Sequence, residues 1–177
     1  NLSQFGSSLG ISHTTVKKYI DLLSATFMIN ILPAYSGNAK KRLVKSSKVY
    51  IRDTGILHAL LNIESIDQLY GHPVIGVSWE TFVIENVLAV SKNINYSFYR
   101  TTNGAEIDLI IEKGIDSYAI ECKFSSAPKL TPSFFEGIKE LGVKHAFVVA
   151  PVDEEYLIKE NITVIPLQKL IEKIANI

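Results

Sequence analysis

The chain has one cysteine, one methionine and one tryptophan among 177 residues, and no net charge, with 18 basic and 18 acidic side chains. The single cysteine, Cys122, excludes an internal disulfide and fits a reducing compartment, so a cytoplasmic protein is expected. The balanced charge removes the global field that would advertise a polyanionic partner. No stretch approaches the about 18–20 consecutive apolar residues that a membrane span needs, and the opening residues do not read as a secretory signal. The histidines at 13, 58, 72 and 145 are scattered without metal-ligand spacing. Neither a Gly-x-Ser-x-Gly nucleophile elbow nor a Gly-x-x-x-x-Gly-Lys-Ser/Thr phosphate loop occurs, so ATP binding is not expected of these residues. What is present is 47% hydrophobic content, enough for a sizeable core in one large or two small domains. The chain opens Asn1-Leu2-Ser3 without an initiator methionine, and a portion of a longer protein is expected.

Against this background, acids in the middle of apolar strands stand out. One strand pattern runs Gly104-Ala105-Glu106-Ile107-Asp108-Leu109-Ile110-Ile111, and the next runs Tyr118-Ala119-Ile120-Glu121-Cys122-Lys123. Such acids are costly unless their charge is compensated. Side chains alternate along a strand, so Glu121 and Lys123 share a face that Asp108 can reach, while Ile120 and Cys122 point into the core. Two carboxylates beside an ammonium make a seat for a hard divalent cation, Mg2+ or Mn2+. The opposing reading pairs the acids with Lys123 or Arg100 in a scaffold without metal. Three acids together without a cation repel and raise at least one pKa. Cys122 reads as a packing residue, not a nucleophile.

Toward the start, Leu9-Gly10-Ile11-Ser12 followed by Val16, Tyr19, Ile20 and Leu23 at helical spacing predicts a turn and a second helix capped by Ser12, with those four apolar residues facing inward. His13, Thr14, Thr15, Lys17 and Lys18 are left on the outer face, where a recognition helix would meet a groove. A strand over 25–32, a turn at Gly37-Asn38 and a returning strand at Arg42-Leu43-Val44 complete a winged-helix pattern whose first helix is missing or incomplete. Lys40, Lys41, Arg42 and Lys45 make its wing basic. Thr14, Thr15, Lys17, Lys18 and these four are the candidate DNA contacts; a docking module with a solvated wing is the alternative.

Residues 48–57 read as a strand entering a helix capped by Asp53, and a polar connection near 67–73 divides a first domain, 1–70, from a second, 71–177. The second reads as a helix over about 76–92, strands over 96–101, 106–113 and 117–123, and a helix over 131–141. Strands at 146–150 and 163–165 and a last helix from Leu167 follow. Strand, helix and strand from Glu121 to Val149 imply a parallel pairing. The expected class is mixed α+β.

Asp108, a short gap, Glu121-x-Lys123 and a preceding helical Glu80 together resemble the active-site signature of the PD-(D/E)xK, or restriction-endonuclease-like, nuclease superfamily. Ile107 stands where proline is usual. The resemblance implies a mixed sheet flanked by helices, and a catalytic set of Glu80 (Glu85 in reserve), Asp108, Glu121 and Lys123. The blocks Lys41-Arg42-Leu43-Val44-Lys45, Tyr50-Ile51-Arg52-Asp53-Thr54-Gly55, Trp79-Glu80 and Tyr99-Arg100-Thr101 extend the likeness over nearly the whole chain. Together they resemble the uncharacterised C-terminal region of prokaryotic, especially archaeal, AAA-type ATPases, which implies an upstream ATPase module that binds ATP. Two functions from different classes follow. One is a Mg2+- or Mn2+-dependent phosphodiesterase acting on DNA; the other is a non-catalytic DNA- or protein-binding module that directs the ATPase. Either accommodates an oligomer, and neither calls for a membrane.

Overall fold

The Ile-, Leu- and Tyr-rich run from Asn95 to Cys122 folds back on itself twice, as β3 (Asn95–Arg100), β4 (Glu106–Lys113) and β5 (Asp116–Cys122), all antiparallel. In the computed structural model, which describes residues 2–37 and 41–176, these strands form half of a six-stranded mixed sheet. The chain crosses through α6 (Pro132–Leu141) to β6 (His145–Val149), which pairs parallel with β5 as the strand–helix–strand pattern predicts. Thr131 caps α6, accepting the Phe134 N–H, and Gly142 ends it in the left-handed region at φ 60, where glycine avoids a Cβ penalty. β8 (Ile162–Ile165) lies parallel to β6, and β7 (Tyr156–Lys159) closes that edge, for a sheet order β3-β4-β5-β6-β8-β7.

Two cores hold the layers together. Val83, Ile84 and Val87 of α5 (Ile75–Val90), with Leu170 and Ile174 of α7 (Leu167–Ala175), pack on Leu109, Ile111 and Ile120. On the other face Phe134 and Ile138 of α6 pack on Ile107, Ile110, Ala119 and Val148. Gly137 lets α6 approach closely, since a Cβ there would stand 3.1 Å from Ile107 Cδ1.

The amino-terminal part comprises α1 (Leu2–Leu9), α2 (His13–Ala25), β1 (Ile29–Leu32), β2 (Lys48–Ile51), α3 (Thr54–Leu60) and α4 (Ile66–Gly71). Ser12 caps α2 by accepting the Thr15 N–H, and Asp53 caps α3 by accepting from Gly55 and Ile56. Two sequence expectations are corrected here. The partner of β1 is β2, in register Ile29↔Ile51 to Leu32↔Lys48, and not Arg42–Val44. The segment between them instead lies along β3: Ala34 bridges Phe98, Leu43 bridges Thr101, and Val44 N–H donates to the Arg100 carbonyl. The free edge of a sheet offers unpaired N–H and C=O groups, and this segment takes them. The second correction concerns α2. Val16 is buried, but Tyr19 and Leu23 are 55% and 41% exposed; α2 packs mainly against α1 and β1, which cover only part of its apolar side. Asn38 of the expected turn and Lys40 of the expected basic wing lie outside the described residues.

Candidate active site

β4 carries the irregularity that builds the site. From Ser97 to Tyr99 β3 advances two residues, while its partner positions on β4 move three, from Ile110 to Ile107. The extra residue in β4 is a β-bulge, a device that re-aims a side chain at the cost of a ladder position. It brings Asp108 to the α5 side, where Glu80 lies, although Ile107 before it packs toward α6. The β4–β5 ladder ends at Leu109↔Ile120, so Asp108 and Glu121 follow it directly on adjacent strands. The Cys122 N–H donates to Asp108 Oδ2 at 2.9 Å.

Both carboxyl groups are buried, with Asp108 8% and Glu121 7% exposed. Burial, reinforced by the neighbouring Glu121 and Glu80 carboxylates, pushes Asp108 up to about 7, against the opposing pull of Lys48 and the Cys122 N–H. Burial also raises Glu121, against the pull of Lys123. Lys123 Nζ donates to Glu121 Oε1 at 2.7 Å, and Glu121 Oε2 is buried without a hydrogen-bond partner. Burial works against the charged form of Lys123, but the Glu121 carboxylate outweighs it and the ammonium is held above its ordinary value. The Cys122 thiol is pushed well up by burial, which removes it as a nucleophile.

Glu80 sits on the face of α5 turned to β2. Its Oε1 accepts from Lys48 Nζ at 2.8 Å and from the Tyr50 hydroxyl at 2.6 Å. Lys48 was not among the residues singled out from the sequence, yet its ammonium lies at the centre of the cluster. It is 2.6 Å from Glu106 Oε1 and 3.6 Å from Asp108 Oδ1 as well. Burial disfavours the Lys48 charge, but Glu80, Asp108 and Glu106 outweigh this and raise its pKa. Glu106 is held below its ordinary range, because Lys48 and Arg100 outweigh its burial; Arg100 Nη2 is 2.6 Å away. The signal that could have found Lys48 is its alternation with Tyr50 on one face of the strand read over residues 48–57.

The structure therefore places Glu80 and Asp108 around Lys48, with Glu121 and Lys123 adjoining Asp108. Glu85 is directed elsewhere, accepting from Asn30 at 2.6 Å and Arg52 at 2.8 Å and so tying α5 to the β1–β2 ribbon. Among the described residues, no three His, Cys, Asp or Glu side chains are arranged to hold a metal as they stand. The donor chemistry still suits one, since the acids offer only oxygen and one buried oxygen has no partner. A cleft of about 470 Å³, lined by Phe5, Lys48, Tyr50, Glu80, Arg100 and Asp108, leads to the cluster. A larger cleft of about 800 Å³ opens at the other end of β5, near Tyr118 and Tyr156. Its Lys144 and Lys173 are already paired with Asp116 and Glu155.

The candidate DNA contacts divide into two groups. Thr14, Lys17 and Lys18 are exposed on α2, whereas Thr15 is half-buried and hydrogen-bonded to Ser12. Arg42 and Lys45 are exposed on the segment along β3. Lys41 is drawn to α6, with Nζ 2.6 Å from Glu136 and its N–H donating to Glu140.

Comparison with known proteins gives two family matches, each described as a domain of unknown function: DUF8612 over residues 1–67 and DUF4143 over residues 75–170. The chain is 30% identical over 169 residues to uncharacterized proteins of Mycobacterium bovis and Mycobacterium tuberculosis. These matches cover 96% of this chain and 38% of each relative, so the chain spans well under half of their length. No solved structure matches it. No helix among the described residues is long and apolar enough to cross a membrane.

Proposed function

The chain belongs to the DUF4143 family, and we propose that it is an ATPase-associated module whose site takes Mg2+ or Mn2+ and cleaves phosphodiester bonds in DNA. One observation carries this reading: Glu121 Oε2 is buried without a partner beside the equally buried Asp108. An unsatisfied buried acceptor costs about 1–3 kcal/mol, and more when charged. A hard cation removes that penalty with the oxygen ligands it prefers. Asp108 and Glu121 would hold the ion, with Glu80 binding directly or through water. A divalent ion in such a site supplies Lewis-acid polarisation and lowers the pKa of bound water. Lys123, anchored on Glu121, contributes an ammonium to orient the attacking water or to balance charge on phosphate. Association with an ATPase is supported by the resemblance to the C-terminal region of AAA-type ATPases and by the unmatched length of the mycobacterial relatives. ATP would bind in that other module, and the single cysteine supports a cytoplasmic setting.

A second reading, a non-catalytic docking module for the ATPase, is favoured by Lys41, whose exposed ammonium is paired with Glu136 and not left free for phosphate. Melting of wild type and Asp108→Asn with and without Mn2+, together with a plasmid-nicking assay, separates the two. The nuclease reading expects Mn2+ to raise the wild-type melting temperature, because a ligand specific to the folded state stabilises it. Asp108→Asn abolishes the rise, and Lys123→Ala keeps the rise but loses nicking. Absence of any Mn2+-dependent rise overturns the cation site, and a rise without nicking favours the docking module.

A further inference from the structure

Lys48 does more than neutralise acid. Its Nζ lies 2.8 Å from Glu80, 2.6 Å from Glu106 and 3.6 Å from Asp108, and its ammonium stands over the Phe98 ring at 5.3 Å. Its side chain is 16% exposed. An ammonium has three donors and no acceptor, so it uses the acids as an oxygen-ligated cation would. Magnesium–oxygen distances are about 2.0–2.1 Å, too short for an ion to bind between Glu80 and Asp108 while the ammonium stays there. The backbone fixes the lysine in place, since it ends the β1–β2 ribbon opposite Leu32. Asn30 and Arg52 of the same region are fastened to α5 through Glu85. Tyr50, two residues on, binds the same Glu80 oxygen from the same ribbon face.

We infer that Lys48 is a tethered cation that closes the site, so that divalent-metal uptake and the seated position of the β1–β2 ribbon exclude one another. The inference rests on the cation-site reading proposed above. The amino-terminal part then does more than target the sheet domain: it holds the key group of a gate. Metal enters when the ribbon withdraws and carries the ammonium away from Glu80 and Asp108. With Lys48 seated, the acids have a cation and lack metal; with it withdrawn, they need one.

The test is Mn2+ binding by isothermal titration and by loss of the free-Mn2+ paramagnetic signal, with no activity measured. Lys48→Met keeps the length of the side chain and removes its charge. It should tighten Mn2+ binding by at least about tenfold, because the repulsion between a unit charge and a divalent ion about 4 Å apart is worth more than that even under bulk-water screening. Lys48→Arg should bind as weakly as wild type. Should Lys48→Met fold poorly, Lys48→Met with Glu106→Gln removes one charge of each sign and should still tighten binding, by a smaller factor, because the ammonium no longer occupies the acids. Adding Asp108→Asn to Lys48→Met should abolish the gain and so locate it. Equal binding by wild type and Lys48→Met, or weaker binding by the variant, overturns the gate and leaves the cation site standing. No binding by any variant overturns both.

Discussion

Water is nearly excluded from the Asp108 carboxyl, and this burial, more than the neighbouring charges, favours its protonated form. With the folded pKa raised from 3.8 to about 7, the folded state holds a proton that the unfolded chain releases. The stability contributed by that proton is complete below about 3.8, falls as pH rises toward about 7, and falls no further above it. Glu121 moves in the same direction. Asp108→Asn mimics the protonated acid at every pH. The wild-type melting temperature, measured relative to this variant without metal, should therefore decline between about pH 4 and pH 7 and then level off. Its upper bound is roughly 4 kcal/mol, from about three pKa units. A flat difference across that range would show Asp108 ionised throughout. The acids themselves were legible in the sequence because a carboxylate inside an apolar strand demands an explanation. Lys48 was not, because between residues 40 and 52 it is one of six basic side chains, Lys40, Lys41, Arg42, Lys45, Lys48 and Arg52, with no acid among them, a run that reads equally well as a solvated surface. Only the pairing of β2 with β1, a long-range contact, turns it inward.

Elements with local signals were easier to read than those set by edges. Ser12 and Asp53 were recognisable caps, and both accept the expected N–H groups. Asp53 Oδ1 accepts from two donors, Gly55 at 2.7 Å and Ile56 at 3.1 Å. Asp53→Ala should thus cost about 1 kcal/mol, and Asp53→Asn much less. The check is a lower denaturant midpoint with an unchanged slope; no shift would mean that α3 does not depend on its cap. β4, β5, α6, β6 and β8 follow from hydrophobic pattern and turn residues. β7 does not: Tyr156-Leu157-Ile158-Lys159 lies between acids, and all four residues are exposed at the sheet edge, so burial left no periodic mark. The bulge in β4 was also hidden, because Ile107-Asp108-Leu109-Ile110 has no glycine or break to announce an extra residue. That bulge sends Asp108 to the Glu80 side, so the most consequential backbone feature was the least legible.

Across the whole molecule charge cancels, and any contact with DNA must come from local placement instead of a global field. Lys17, Lys18, Lys40, Lys41 and Arg42 are expected from the sequence to form one basic surface; Lys40 lies outside the described residues, and folding treats the others differently. Lys17 and Lys18 remain exposed on α2, while Lys41 answers Glu136 at 2.6 Å. Sequence proximity showed the basic run but could not show that α6, about 95 residues further on, would supply acids to part of it. If α2 meets duplex phosphate, affinity should fall with salt at a log–log slope of about −0.9 for each phosphate neutralised. Replacing Lys17 and Lys18 together by Ala should reduce that slope by about 2, one contact for each lysine. Lys41→Ala should leave it almost unchanged, because Glu136 already engages that ammonium. Fluorescence anisotropy with a labelled duplex over a range of salt concentrations measures all three. A slope that survives loss of Lys17 and Lys18 moves the DNA contact away from α2, and binding insensitive to salt removes phosphate contact altogether and favours protein docking.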